Sequence, residues 1–162
     1  MSSLTAPGFL DALRTLLLAR AHMVADPTIA VYTGPIGPDT ANPRMAIVFV
    51  SVEDRLEPAA LGPQTQVTQS ERYTVDGLAA GISPLKGETG IKAARDACLL
   101  LLAELNQQLR EDMTVSGTVE WAYLATVHWD QGLDADRGRI CVATFGIEVK
   151  ARIPATPAGS WT

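Results

Sequence analysis

Residues 139–153 read Arg-Ile-Cys-Val-Ala-Thr-Phe-Gly-Ile-Glu-Val-Lys-Ala-Arg-Ile. Cys141, Ala143, Phe145, Ile147, Val149, Ala151 and Ile153 fall on one side of an extended chain, and Thr144, Glu148, Lys150 and Arg152 fall on the other. Side chains alternate along a strand, so this segment offers one face to a core and one to water. That is the pattern of an antiparallel sheet with helices on one face. Residues 67–80 repeat it. Val67, Gln69, Glu71, Tyr73 and Val75 take one side, and Thr68, Ser70, Arg72, Thr74 and Asp76 take the other, which is wholly polar. Residues 118–129 put Val119, Trp121, Tyr123, Ala125, Val127 and Trp129 on one face and His128 opposite the tryptophans. They are expected to pair with 139–153 as a long hairpin, with 130–138 as its loop.

Working outward, residues 87–112 form the strongest helix. Ile91, Ala94, Cys98, Leu102, Leu105 and Leu109 make one stripe, and Leu99, Leu100 and Leu101 widen it. One sheet face cannot cover that circumference, so a second partner is expected, either the first helix or a neighbouring subunit. The first helix starts at Thr5-Ala6-Pro7, with Thr5 as cap. Leu10, Leu13, Leu17 and Ala21 form its stripe, Leu16 and Met23 widen it, Asp11 and Arg14 pair on the wet face, and Asp26-Pro27 stops it. Residues 28–33 are β-branched and short, a strand. Residues 45–52 are apolar on both faces, a central strand covered on both sides. Residues 34–43 hold Pro35, Pro38 and Pro43 and form a loop. Residues 53–66 are polar and aperiodic, a long exposed loop.

The order helix, strand, strand, strand, helix, strand, strand is α+β. The expectation is one domain over residues 1–153, a mostly antiparallel or mixed sheet of about five strands with two main helices packed on it. Residues 154–162 are expected to be a flexible tail.

The 162 residues carry 13 Lys+Arg against 18 Asp+Glu, a net charge of −5, and 47% hydrophobic residues. That composition excludes disorder as the main state. It leaves no basic surplus for phosphates, since Lys86, Lys92 and Lys150 are the only lysines. No basic leader and no apolar run of membrane-spanning length is seen. Cys98 and Cys141 lack metal spacing and read as buried thiols. His22 suits a helix C-terminus, and neither histidine has a carboxylate at ligand spacing. Asp130, Asp134 and Asp136 with Gly132 and Gly138 lack the order of an EF-hand and read as turn chemistry. Gly87-Glu88-Thr89-Gly90-Ile91-Lys92 is neither a phosphate loop nor a convincing GxxG clamp, because Lys86 precedes the glycines and Glu88 would repel phosphate; it reads as a helix start. No hydrolase or metalloprotease motif is present.

Several segments together carry a family likeness. They are Val31-Tyr32-Thr33-Gly34-Pro35, Glu71-Arg72-Tyr73-Thr74-Val75, Gly87-Glu88 before Ala93-Ala94-Arg95-Asp96-Ala97, Leu105 to Leu109 with Arg110-Glu111-Asp112, Gly117-Thr118-Val119-Glu120-Trp121-Ala122, and Phe145-Gly146-Ile147-Glu148-Val149 with Ala151-Arg152-Ile153. Over residues 9–153 the chain resembles the tail terminator proteins, minor tail proteins of the neck region, of long-tailed bacteriophages. The resemblance implies a virion structural protein assembled in the host cytoplasm, with no catalytic residue, cofactor or metal. It implies a homohexameric ring that caps the tail tube, stops its polymerisation and presents a joining surface to the head-completion proteins of the neck connector. DNA passes through the lumen without specific binding, and no membrane is involved.

A ring subunit needs projecting loops, and the acidic balance suits a bore through which DNA slides. The candidate lumen or partner contacts are therefore Glu53, Asp54, Arg55, Glu57, Asp134, Asp136 and Arg137. The alternatives are another neck component, a head-closure or tail-completion protein, or a small α+β ligand-binding domain or enzyme. The last would need a concave pocket with converging polar groups, for which Trp121, Tyr123 and Trp129 are the lining candidates.

Overall fold

A computed structural model describes residues 4–35, 45–61, 67–134 and 136–153. In chain order these form α1 (Ala6–Leu18), α2 (Ala21–Ala25), β1 (Ile29–Tyr32), β2 (Met45–Leu61), β3 (Val67–Ser83), α3 (Gly87–Glu111), β4 (Trp121–Asp134) and β5 (Gly138–Ile153). The five strands make one sheet in the order β1-β2-β3-β5-β4. The β1–β2 pair is parallel and the other three are antiparallel. This is the α+β mixed sheet expected, with α1 and α3 as its two long helices. The expected proline-rich loop beyond Pro35 and the expected tail at 154–162 lie outside the described residues.

The core is one cluster between the helices and a single face of the sheet. From α1 it takes Ala6, Phe9, Leu13 and Leu17, and from α3 Ala94, Cys98, Leu101, Leu102, Leu105 and Leu109. From β5 it takes Cys141, Ala143, Phe145, Ile147, Val149 and Ala151, the set on one side of the alternation. Two edge-to-face aromatic pairs brace it, each with centroids 6.0 Å apart: Phe9 to Tyr73 ties α1 to the sheet, and Phe49 to Phe145 joins β2 to β5 across β3. In β2, residues 46–49 are buried on both faces, as their apolar run requires. The helix α3 lies so close to β3 that a Cβ on Gly81 would sit 2.5 Å from the Ala94 carbonyl oxygen.

The N-terminal helix is shorter than its periodicity predicts. It ends at Leu18, and Arg20 takes extended backbone (φ −69°, ψ 147°) before α2. The break turns the Arg20 guanidinium onto α3, where it meets Glu104, Gln108 Oε1 at 3.0 Å and Glu111 Oε2 at 2.9 Å. Asp26 then closes a turn by accepting from the Thr28 amide at 3.0 Å. Thr5 is the N-cap by position, but its hydroxyl makes no cap bond and donates to Glu71 Oε2 at 2.8 Å. Arg14 does not pair with Asp11 but donates from Nε to the Val31 carbonyl at 2.9 Å.

Two expected loops are strands. Residues 53–61 continue β2, paired with β3 as far as Leu61 opposite Val67. Their polarity misled because residues 51–57 stand beyond the core and are exposed on both faces. Ladder hydrogen bonds hold this stretch, with no apolar periodicity to betray it. Pro58 is tolerated because β1 pairs only with 45–48, so this part of β2 is a sheet edge. Likewise the expected 130–138 loop shrinks to the turn between Asp134 and Gly138, whose φ of +98° glycine alone adopts easily.

Strand β4 begins at Trp121 and carries a bulge between Leu124 and Thr126. An extra residue reverses which side chains face the core. Trp121 and Tyr123 pair with Lys150 and Glu148 on the face away from the helices; Val127 and Trp129 pair with Phe145 and Ala143 on the helix side. The expectation of one aromatic face is thus wrong, and His128 shares the face of Trp121, not the one opposite. A second bulge, between Phe49 and Ser51, does the same to β2.

Candidate interaction surfaces

Among the described residues strand β4 is the far edge of the sheet, 14 residues long, with one side of its backbone unpaired. On its helix side Val127 is 46%, Trp129 43% and Leu133 68% exposed. These side chains lie on the core side, yet α3 leaves them only partly covered. Leu133 also lines a cleft of about 270 Å³ with Ile91 and Ala94 of α3. On α3, Leu101 is covered, while Leu99 and Leu100 stay partly open. A long edge strand flanked by exposed apolar side chains is a template for another chain.

The opposite edge differs in kind. Beyond Val48, β2 has no neighbouring strand on its outer side among the described residues. Of the predicted contact residues, Glu53, Arg55 and Glu57 project from the open face here, opposite Thr74, Arg72 and Ser70. This end is charged in both signs: Lys150 and Arg152 each lie 3.7 Å from Glu120, and Arg72 sits 6.0 Å over the Trp121 ring. Arg55 and Glu57 approach to 3.8 Å, an exposed pair of little energetic weight.

Asp134, Asp136 and Arg137 occupy the β4–β5 turn at the other end of the sheet. Eleven residues of β3 separate their level from that of Arg55, which is about 35 Å of strand. The seven predicted residues therefore form two clusters at opposite ends. Asp134 serves the turn itself: its carboxylate accepts from the amides of Asp136 at 2.9 Å and Arg137 at 3.1 Å and pairs with the Arg137 side chain. These bonds hold its pKa below the usual carboxylate range. The turn-chemistry reading holds for Asp134 and its turn, whereas Asp130 and Gly132 lie within β4, opposite Val142 and Ile140.

Asp54 points away from Glu53, Arg55 and Glu57. The β2 bulge turns it to the helix side, opposite Tyr73. There it meets Glu71, a fully buried carboxylate. Glu71 Oε2 accepts from the Thr5 amide at 3.0 Å and hydroxyl at 2.8 Å, at the start of α1, where negative charge is favoured. Glu71 Oε1 is buried and has no hydrogen-bond partner among the described residues. Burial first, then a hydrogen bond and repulsion from Glu71, push the Asp54 pKa up to about 6. Burial likewise raises Tyr73. Placing Glu71 on the packed face was legible in the alternation; its meeting with Asp54 was not, because no sequence signal marks the bulge.

The other singled-out residues lie outside these clusters. His22 Nδ1 lies 2.6 Å from Glu104 Oε1, and Glu104 also pairs with Arg20. Burial alone would raise Glu104, but bonds from Arg20 and His22 outweigh it and its pKa is lowered. His128 Nε2 lies 3.1 Å from Asp130 on the open face. Cys98 and Cys141 are free thiols, both buried. Burial and the neighbouring Cys141 push Cys98 up to about 12, which makes it a poor nucleophile. Gly87-Glu88-Thr89-Gly90 opens α3, with Gly87 at φ +67° and the Gly90 position packed on the Leu85 carbonyl. Among the described residues no helix is long and apolar enough to cross a membrane.

No protein-family model matches this chain, and no curated protein matches it.

Proposed function

We propose that this protein is a virion structural protein, a tail terminator in the neck of a long-tailed phage. It works as a ring subunit that caps the tail tube and offers its other face to the head-completion proteins. The observation that carries the reading is the pair of unlike sheet edges. One is the apolar flank of β4, with Val127, Trp129 and Leu133, and the other is the charged outer edge of β2 beyond Val48. Unlike surfaces make head-to-tail contacts, which close into a ring when the rotation fits. A closed ring seated on a tube leaves no equivalent surface for the next tube subunit. In this reading Glu53 and Glu57 are the bore candidates, since Asp54 and Asp134 are engaged elsewhere.

The test combines native mass, negative-stain imaging and the length of tail tubes assembled with and without the protein. A ring of about six copies with a central hole, sitting on tube ends and shortening the tubes, is expected. Leu133→Ser should abolish the ring and the capping while costing the subunit no more than about 1 kcal/mol in urea unfolding, since the residue is 68% exposed. Filaments of the purified protein, or tubes of unchanged length with bare ends, would refute the reading. A ring that binds head connectors and ignores tubes would replace it with a head-side neck component.

A further inference from the structure

We propose that the cleft between the start of α1 and β2 receives the ammonium or guanidinium end of a basic side chain presented by a protein partner. The cleft measures about 450 Å³. Leu4, Ala6, Pro7, Leu10 and Val52 give it apolar walls, and Asp11 and Asp54 give it charge. Glu71, bonded to Asp54, is fully buried and does not line the cleft itself; one of its carboxylate oxygens has no partner among the described residues. A buried carboxylate of this kind demands a counter-charge.

No basic side chain among the described residues supplies one. Arg14 goes to the Val31 carbonyl, and Arg55 and Arg72 project from the other face of the sheet. The polar groups about the cleft and the carboxylate behind it are Asp11 from α1, the Thr5 hydroxyl bonded to Glu71, and Glu71 and Tyr73 from β3, none of them cationic. The carboxylates are not gathered into a metal-binding group among the described residues. Apolar walls leading to a carboxylate match a side chain with a methylene stem and a charged head. The cleft opens beside the charged edge of β2, and this inference does not depend on the ring reading.

The probe is n-butylammonium, titrated into the full-length protein at pH 7.5 while backbone amide shifts are followed by NMR. n-Butanol, ammonium chloride and sodium chloride are the controls. Saturable shifts confined to residues 4–11, 33 and 52–54 are expected, at least tenfold weaker with butanol or ammonium and absent in Asp54→Asn. The wild-type chain supplies a second arm that needs no variant. Asp54, with its pKa near 6, is mostly protonated at pH 5, so butylammonium should bind about tenfold more weakly there than at pH 7.5. Equal binding at the two pH values overturns the proposal. So does an equal response to ammonium, which would mean a bare-cation site, or to butanol, which would mean an apolar cleft alone. Absence of any saturable shift also overturns it.

Discussion

Replacing Gly81 with alanine should lift α3 off the sheet. A Cβ there would lie 2.5 Å from the Ala94 carbonyl oxygen, 2.7 Å from the Cys98 nitrogen and 2.9 Å from the Ala97 Cβ. Two of these three atoms are helix backbone, so no rotamer change relieves the clash. Ordinary contact needs about 3.5 Å, so the helix must move by about 1 Å. That movement opens a gap beneath Ala94, Cys98, Leu101 and Leu105, which are now in full contact with the sheet layer. A gap of that width forfeits about a quarter to a half of each dispersion contact across it. Overpacking of this kind costs about 1–3 kcal/mol and more where backbone is hit, against which alanine recovers about 0.4–1 kcal/mol from the unfolded chain. The net expectation is a loss of about 2–3 kcal/mol, or about 5–10 °C in Tm for a domain of this size. Urea unfolding followed by far-ultraviolet circular dichroism, at fixed protein concentration, measures it. Gly132→Ala is the control, because its nearest neighbour is Ile140 Cγ2 at 3.5 Å. A loss below about 0.5 kcal/mol for Gly81→Ala, or equal losses for both variants, would refute the packing argument.

Two further predictions concern charge. Asp54 has a folded pKa raised to about 6, so its stabilising contribution is complete below the ordinary carboxylate range and disappears as pH rises through 6. Asp54→Asn should remove that loss: between pH 4.5 and 7.5 its Tm should gain on the wild type as pH rises, and parallel Tm profiles would contradict the assignment. Arg20→Ala strands the buried Glu104 with His22 as its remaining close partner, so it should cost about 2–4 kcal/mol in urea unfolding, against a smaller loss for His22→Ala. Equal losses would show that Arg20 does not carry the charge balance.

Much of the architecture was legible because burial writes itself into alternation. The seven apolar residues of 141–153 and the stripe of α3 named their own buried faces; all seven are buried, and so is the stripe except for its first member, Ile91. The α+β class and the pairing of β4 with β5 followed from them. Residues 53–61 were illegible for the opposite reason: a strand held by its ladder beyond the core needs no apolar period. The break at Arg20 was hidden too, since it is set by acids and amides more than 80 residues away.

The candidate contact residues show the same division. Asp134 and its turn could be read locally, because an aspartate bonding amides two and three residues on is short-range chemistry. The placing of Asp54 against Glu71, and of Trp129 and Trp121 on opposite faces, depends on one inserted residue in each edge-side strand. Composition and periodicity alone determined which segments bury a face and how many layers the chain can build, because those follow from side-chain polarity at fixed spacing. Tertiary structure decided which carboxylates meet, which aromatics stay exposed and where the sheet ends, because a bulge reverses strand parity with no residue type to announce it.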